Sequence, residues 1–361
     1  MSAPTNRTFW QDKIGVPGAI RESSVPSSLS EGEVLVKVHA WGLNPVDAYI
    51  QDAPLPLIKY PFIPGQDITG TIERVGSGPN SSQRFKIGDR VLGYAAGISF
   101  PEKPERGAFQ EHVVLDQGLV AKIPDSLSFA EAAVFPLCLA TAAHALFDPK
   151  FLALPLPGSG SGSGSGSSST GKSVLIWGGA SAVGSNAIQL ARAAGFEVVT
   201  TCSPRNFEYV RSLGATKVFD YNSAAVVEDI VAELDGGEGS CAGIFQAAGI
   251  TGEAIAPCCE VSRKSRQKLL VACANAVPEG TVVPEGVEAK FVFDWQEGKA
   301  MYYDVTSKLF SQFLEEALRL GTYKVAPRPE VVSAKGLEGI QTGLDIVRKG
   351  VSAKKIVVLA E

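Results

Sequence analysis

The chain has 361 residues, 45% of them hydrophobic, with 33 Lys and Arg against 38 Asp and Glu, a net charge of −5. That length supports two domains with cores of their own, and the absence of a basic block argues against nucleic acid or an anionic membrane as partner. Cys138, Cys202, Cys241, Cys258, Cys259 and Cys273 form no CxxC pair, and the first residues lack an apolar signal core, so a cytoplasmic protein with reduced thiols is expected.

Up to residue 136 the pattern is all-β, with residues 34–40 as its clearest alternating strand and many Pro and Gly between short apolar runs. This suits a barrel of short strands with long connections. The segment Gly42-Leu43-Asn44-Pro45-Val46-Asp47-Ala48-Tyr49 leaves that strand and should open a short helix. Residues 63–76, 85–93 and 107–114 complete the series. Residues 128–136 and 137–147 read as two helices meeting at Pro136. After Pro155 and Pro157, residues 158–169 are almost pure Gly and Ser, the composition of a flexible surface loop without chemistry.

At residues 173–177 a short apolar run stops at Gly178 and Gly179, and a pattern with apolar residues at Val183, Ala187, Ile188, Leu190 and Ala191 begins. A buried strand therefore turns sharply into a helix. The turn, Gly179-Ala180-Ser181-Ala182-Val183-Gly184, is a variant of G-x-G-x-x-G whose small residues let a pyrophosphate approach the backbone at a helix N-terminus. The next strand, residues 196–202, ends in Cys202-Ser203-Pro204-Arg205-Asn206. A free ribose 2′-hydroxyl would call for an acid there, and none is present. Arg205 offers instead a planar fork of charged donors suited to a 2′-phosphate, which favours NADPH over NADH. Ser203 and Pro204 equally suit the cap and first position of the following helix. Further strands are expected at residues 217–222, 241–249, 269–275 and 289–294, a helix at 308–320, and a return to the barrel from Pro327.

The ordered segments at 42–49, 63–76, 85–93 and 107–114, ahead of the nucleotide turn, resemble the medium-chain dehydrogenase/reductase superfamily. The resemblance implies an α/β protein: a GroES-like β-barrel catalytic domain (1–136 and 327–361) and a Rossmann domain with a doubly wound parallel sheet for NADP(H) (137–326). Zinc members of the superfamily carry Cys where Asn44 stands and Gly-His-Glu where Gly65-Gln66-Asp67 stands, with a third ligand near Leu137, one residue from Cys138. A catalytic zinc needs three well-placed ligands, and His39, His112 and His144 are isolated, so no metal is expected.

Within the superfamily, residues 201–207, 218–221 and 347–350 are similar to fungal trans-acting enoyl reductases of polyketide pathways. The resemblance implies that Ser203, Arg205, Asn206 and Tyr221 surround the adenosine 2′-phosphate and base, and that Pro45, Asp47, Val351 and Ser352 also line the cofactor. Thr141 matches a threonine that zinc-free relatives place against the nicotinamide, and by itself would suit a helix residue bonded back to a carbonyl. Tyr49 stands where those reductases carry lysine. The implied reaction is NADPH-dependent reduction of a C=C conjugated to a carbonyl, with Asn44, Tyr49 or the cofactor's own hydroxyls as donor to the enolate and Tyr49 as proton donor. The partner would be a small-molecule or carrier-bound enoyl substrate, with a polyketide synthase as its source, and the protein a monomer or homodimer. Two further readings share these residues: a quinone or free enone reductase, and a non-catalytic NADPH-binding partner protein.

Overall fold

Ten residues, Glu33–Gly42, carry the strand around which the first half of the protein is built. In the computed structural model, which describes residues 5–78, 84–158, 169–236, 239–249, 252–293 and 298–361, this strand follows β1 (Thr5–Trp10) and β2 (Ala19–Ser24) and is β3. Residues 159–168 of the Gly/Ser stretch lie outside the described residues. After β3 come α1 (Pro45–Asp52), β4 (Asp67–Val75), β5 (Arg90–Tyr94), β6 (His112–Asp116), β7 (Val120–Lys122), α2 (Phe129–Ala132) and α3 (Pro136–Phe147).

Packing divides the chain into two units, Met1–Leu137 with Trp295–Glu361, and Cys138–Asp294. In the first, β3 pairs with β6 along Glu33–Lys37, and with the C-terminal strand along Ala40–Gly42, so one strand changes partner halfway along its length. Its register against β4 shifts between Val38 and Ala40, as a bulge that bends the strand requires. Val34, Val36, Val38 and Trp41 thereby face one core with Ile68, Phe109 and Leu115. The buried Trp41 indole donates to the Ala108 carbonyl at 2.9 Å, so its one polar atom is satisfied. A capping box at Ser128 and Glu131 starts α2. The apolar stretch Phe129–Phe147 matches a membrane span in length and composition, yet 78% of its most apolar window is buried inside the protein.

The second unit contains β8 (Ser173–Trp177), α4 (Ala182–Ala193), β9 (Glu197–Thr201), α5 (Phe207–Ser212), β10 (Lys217–Phe219), α6 (Val226–Gly236), β11 (Cys241–Gln246), α7 (Ile255–Lys264), β12 (Val271–Cys273) and β13 (Ala289–Phe291). Its six strands are parallel, in the order β10-β9-β8-β11-β12-β13. In chain order of the six this is 3-2-1-4-5-6, the doubly wound arrangement whose direction reverses beside β8. Strand residues Val174, Leu175 and Ile176 are fully buried, as a parallel sheet covered by helices on both faces demands.

The chain then forms α8 (Tyr303–Leu309), which runs through a wide π-type turn, Phe310–Leu314, into α9 (Glu315–Arg319), and ends with β14 (Arg328–Val331), α10 (Glu338–Arg348) and β15 (Lys354–Leu359). The α8–α9 segment packs with the first unit, ahead of the return expected at Pro327. The Tyr303 hydroxyl donates to Asp116 at 3.0 Å, and Arg84 pairs with Glu315. These partners are about 200 residues away in the chain, out of reach of a local pattern, which shows only the helix.

Candidate functional site

In the second unit the site begins with backbone. Gly178 takes φ +89°, the left-handed region that lets β8 turn abruptly. A Cβ on Gly179 would come within 2.2 Å of Thr200 Oγ1, and one on Gly184 within 2.2 Å of the Gly178 carbonyl oxygen. Both positions therefore admit glycine alone without a shift of the turn. Ser181 caps α4: its Oγ accepts from the Gly184 N–H at 2.9 Å and donates to the Ala247 carbonyl at 2.6 Å, tying the turn to the end of β11. The first-turn amides of a helix have no acceptor within it, and here they belong to Ala182 and Val183 on a twelve-residue helix. Ser185 Oγ donates to the Gly179 carbonyl at 3.2 Å and lies 2.8 Å from the Tyr209 hydroxyl. Tyr209, absent from the sequence expectations, thus braces the glycine turn from α5.

At the end of β9, Pro204–Asn206 form a tight turn of helix that leads into α5. Arg205 is exposed there, and the Ser203 and Tyr221 hydroxyls lie 2.8 Å apart. Two hydroxyls in contact and an exposed cation two residues along the chain are groups of the kind that bind a phosphate on the ribose, so the residues present suit a dinucleotide carrying one. Thr141 lies on α3, within the same unit, and is buried.

In the first unit the expected site residues separate into two groups. Pro45 and Tyr49 on α1, and Val351 and Ser352 before β15, are exposed. Asn44 and Asp47 are turned inward, at 2% and 1% exposure. The Asp47 carboxylate accepts from the Asn44 N–H at 2.8 Å, closing the N-terminus of α1, and from the Gln66 amide at 3.1 Å. The Asn44 side-chain amide donates to Asp67 Oδ2 at 2.9 Å and to Asp47 Oδ2 at 3.3 Å. Asn44, expected as a donor to an enolate, therefore has its amide hydrogens directed at two carboxylates, and Asp47, expected beside the cofactor, is enclosed. Burial is the larger influence on Asp47 and pushes its carboxyl up to about 6.

The element that organises this group is Lys355. Its side chain, 3% exposed, donates to Asp67 Oδ2 at 2.7 Å and to Asn44 Oδ1. Asp67 is completely buried, and its other oxygen accepts the Leu137 N–H at 2.7 Å. Lys355 was absent from the expected site. The only trace in the chain is a lysine directly ahead of the apolar run 356–359. Among the described residues no group of three His, Cys, Asp or Glu is placed to hold a metal ion.

Residues 30–125 match the family model described as the alcohol dehydrogenase GroES-like domain, and residues 182–283 the one described as zinc-binding dehydrogenase. Dehydrogenase azaJ of Aspergillus niger is 39% identical, across 95% of this chain and 97% of that protein. Trans-enoyl reductase himH of Aspergillus japonicus is 38% identical, across 99% and 98%. The fold is shared with mycobacterial Rv1454c, solved in complex with NADPH, at a TM-score of 0.66 and 22% identity over 98% of this chain and 99% of that one. The protein belongs to the medium-chain dehydrogenase/reductase superfamily, where its relatives of more than 30% identity include trans-enoyl reductases. It is an oxidoreductase whose Rossmann unit binds a nicotinamide cofactor.

Proposed function

We propose that the protein is an NADPH-dependent enoyl reductase of secondary metabolism, acting on a C=C conjugated to a carbonyl in a small-molecule or carrier-bound enoyl thioester. The observation that carries this reading is the corner beyond β9, where the Ser203 and Tyr221 hydroxyls lie 2.8 Å apart, Arg205 is exposed two residues on, and the stretch from Cys202 to Asn206 contains no acid. The 38% identity to a trans-enoyl reductase along nearly the whole chain supports the enoyl substrate, and with it a polyketide synthase as the source of the carrier-bound form.

When bound, the reduced nicotinamide supplies a hydride to the β-carbon. The negative charge that then develops on the carbonyl oxygen requires donors in place, and the α-carbon requires a proton. Tyr49 is the acid that α1 presents: its phenol gives its proton to the α-carbon and regains one from water, so the net change is the addition of one hydride and one proton across the C=C. Asn44 and Asp47 serve from behind, by holding the start of the helix that carries Tyr49. Arg205, Ser203, Asn206 and Tyr221 select the phosphorylated ribose, the Gly179–Gly184 turn receives the pyrophosphate, and Pro45, Thr141, Val351 and Ser352 complete the cofactor contacts.

NADPH oxidation with an enoyl thioester, a free enone and a quinone, each repeated with NADH, tests the reading. Thioester-dependent oxidation confined to NADPH is the expected result. Faster turnover of the quinone would place the protein with the quinone reductases, and NADPH binding without oxidation by any acceptor would make it a non-catalytic binding partner.

A further inference from the structure

Three segments of the first unit meet at one buried ammonium, and a fourth is tied in through Asp67. Lys355 comes from β15, Asn44 from the residue before α1, and Asp67 from the first position of β4; Asp67 also holds the Leu137 N–H at the start of α3. Lys355 and Asp67 are 288 residues apart in the chain, with side-chain exposures of 3% and 0%. A pair of charges withdrawn this far from water contributes little net stability compared with apolar residues of the same volume, while loss of one partner leaves the other uncompensated. Such a pair specifies an arrangement more than it strengthens one.

The arrangement it specifies is that of α1. Asn44 Oδ1 accepts from Lys355, and the Asn44 N–H is held by Asp47 three residues on, so the first turn of the helix is fixed from both sides. One half-turn further, Tyr49 emerges into solvent at 48% exposure. The helix is only eight residues long, too short to hold its position by its own hydrogen bonds.

We propose that Lys355 is a positioning residue for Tyr49, its ammonium locking Asn44 and Asp67 together so that α1 presents the phenol in one fixed place. This rests on the enoyl reductase reading for the role of Tyr49, but the placement of α1 stands apart from any acceptor and is measured separately.

Lys355→Met alone leaves Asp67 charged and unpaired, so the informative variant is Lys355→Met with Asp67→Asn, which removes both charges. Hydrogen exchange of peptides covering 45–52 in the full chain reads the placement directly. Exchange at least about tenfold faster than in the unsubstituted protein, with β8 and α4 unchanged, is the expected result; unchanged exchange at α1 overturns the proposal. With NADPH and an enone, the double variant should lose about tenfold in kcat with KM for NADPH constant. The same pair of substitutions placed on Tyr49→Phe should cost less than about twofold, because a residue acting through Tyr49 has nothing left to position. An equal loss in both backgrounds would mean that Lys355 acts on stability alone. If the unsubstituted protein reduces no acceptor, the enoyl reductase reading fails, and the exchange measurement still decides the placement of α1.

Discussion

The two units solve opposite problems. The nucleotide-binding unit recognises with backbone: glycines at 178, 179 and 184 and the amides at the start of α4 lie within one continuous turn, and the side chains beyond β9 are exposed. The unit carrying Tyr49 does the reverse. Tyr49, the proposed proton donor, stands on a short helix, and four charged or amide side chains of the same unit, Asn44, Asp47, Asp67 and Lys355, are almost wholly buried. A site that binds a ready-made anion can be assembled locally. A site that must aim a proton donor requires rigid support, and that support is drawn from distant parts of the chain.

The largest effect that would break this contrast is Tyr49→Phe. A positioned acid contributes about 10²–10⁴-fold, so kcat should fall by that order while the Kd of NADPH, read by fluorescence, stays constant. Unchanged turnover would shift the proton donor from Tyr49 to water and leave the buried support without a client.

The next is a pH dependence of stability. The Asp47 carboxyl is raised from the usual 3.8 to about 6, chiefly by burial, against the lowering effect of the Asn44 N–H. Between those two values the folded protein holds a proton that the unfolded chain has released. Stability should therefore fall as pH rises from about 4 to about 6, by up to about 3 kcal/mol, and then level off. Denaturant titrations across that range, compared with Asp47→Asn, check this; the variant should lack the slope.

In the other unit, Arg205→Ala should raise KM for NADPH by about 10- to 100-fold, the equivalent of about 1.5–3 kcal/mol for a charge-assisted contact, and leave KM for NADH unaltered. Equal losses with both cofactors would show that Arg205 stabilises α5 and does not read the phosphate. Gly184→Ala sharpens the comparison at the smallest scale. Its Cβ would meet the Gly178 carbonyl oxygen at 2.2 Å, so the turn must open. We expect NADPH and NADH to weaken together, by roughly tenfold, or about 1–2 kcal/mol of overpacking, and calorimetric titration with each cofactor would measure it.

How much of this was legible in the chain follows the same division. The glycine turn, the strand and helix on either side of it, and the acid-free corner at Ser203 to Asn206 were readable because each is a contiguous pattern with a local physical cause: apolar periodicity, a left-handed glycine, a cap at Ser181. The short helix at Pro45 was readable for the same reason, from proline at its first position. The bond between Ser203 and Tyr221 was less so, since parallel pairing of β9 with β10 is what brings residue 221 beside residue 203.

By itself, then, the sequence determined the class of protein, the order of the two domains, and the glycine turn between β8 and α4, because those features depend on neighbours within a few positions of one another. Tertiary structure alone decided which polar residues near Tyr49 face solvent and which are consumed in its support. Asn44 and Asp47 read as site residues from the local pattern, while the fold sets Asp67 and Lys355 against Asn44 and Gln66 against Asp47; the helix expected at 308–320 reads as part of the nucleotide-binding domain, and in the fold the segment 303–319 is held by Asp116 and Arg84 of the first unit. The physical reason is common to both: a polar group withdrawn from water must find its partner wherever the fold supplies one, and Lys355, Tyr303 and Arg84 find theirs in Asn44, Asp116 and Glu315, some 190 to 310 residues away.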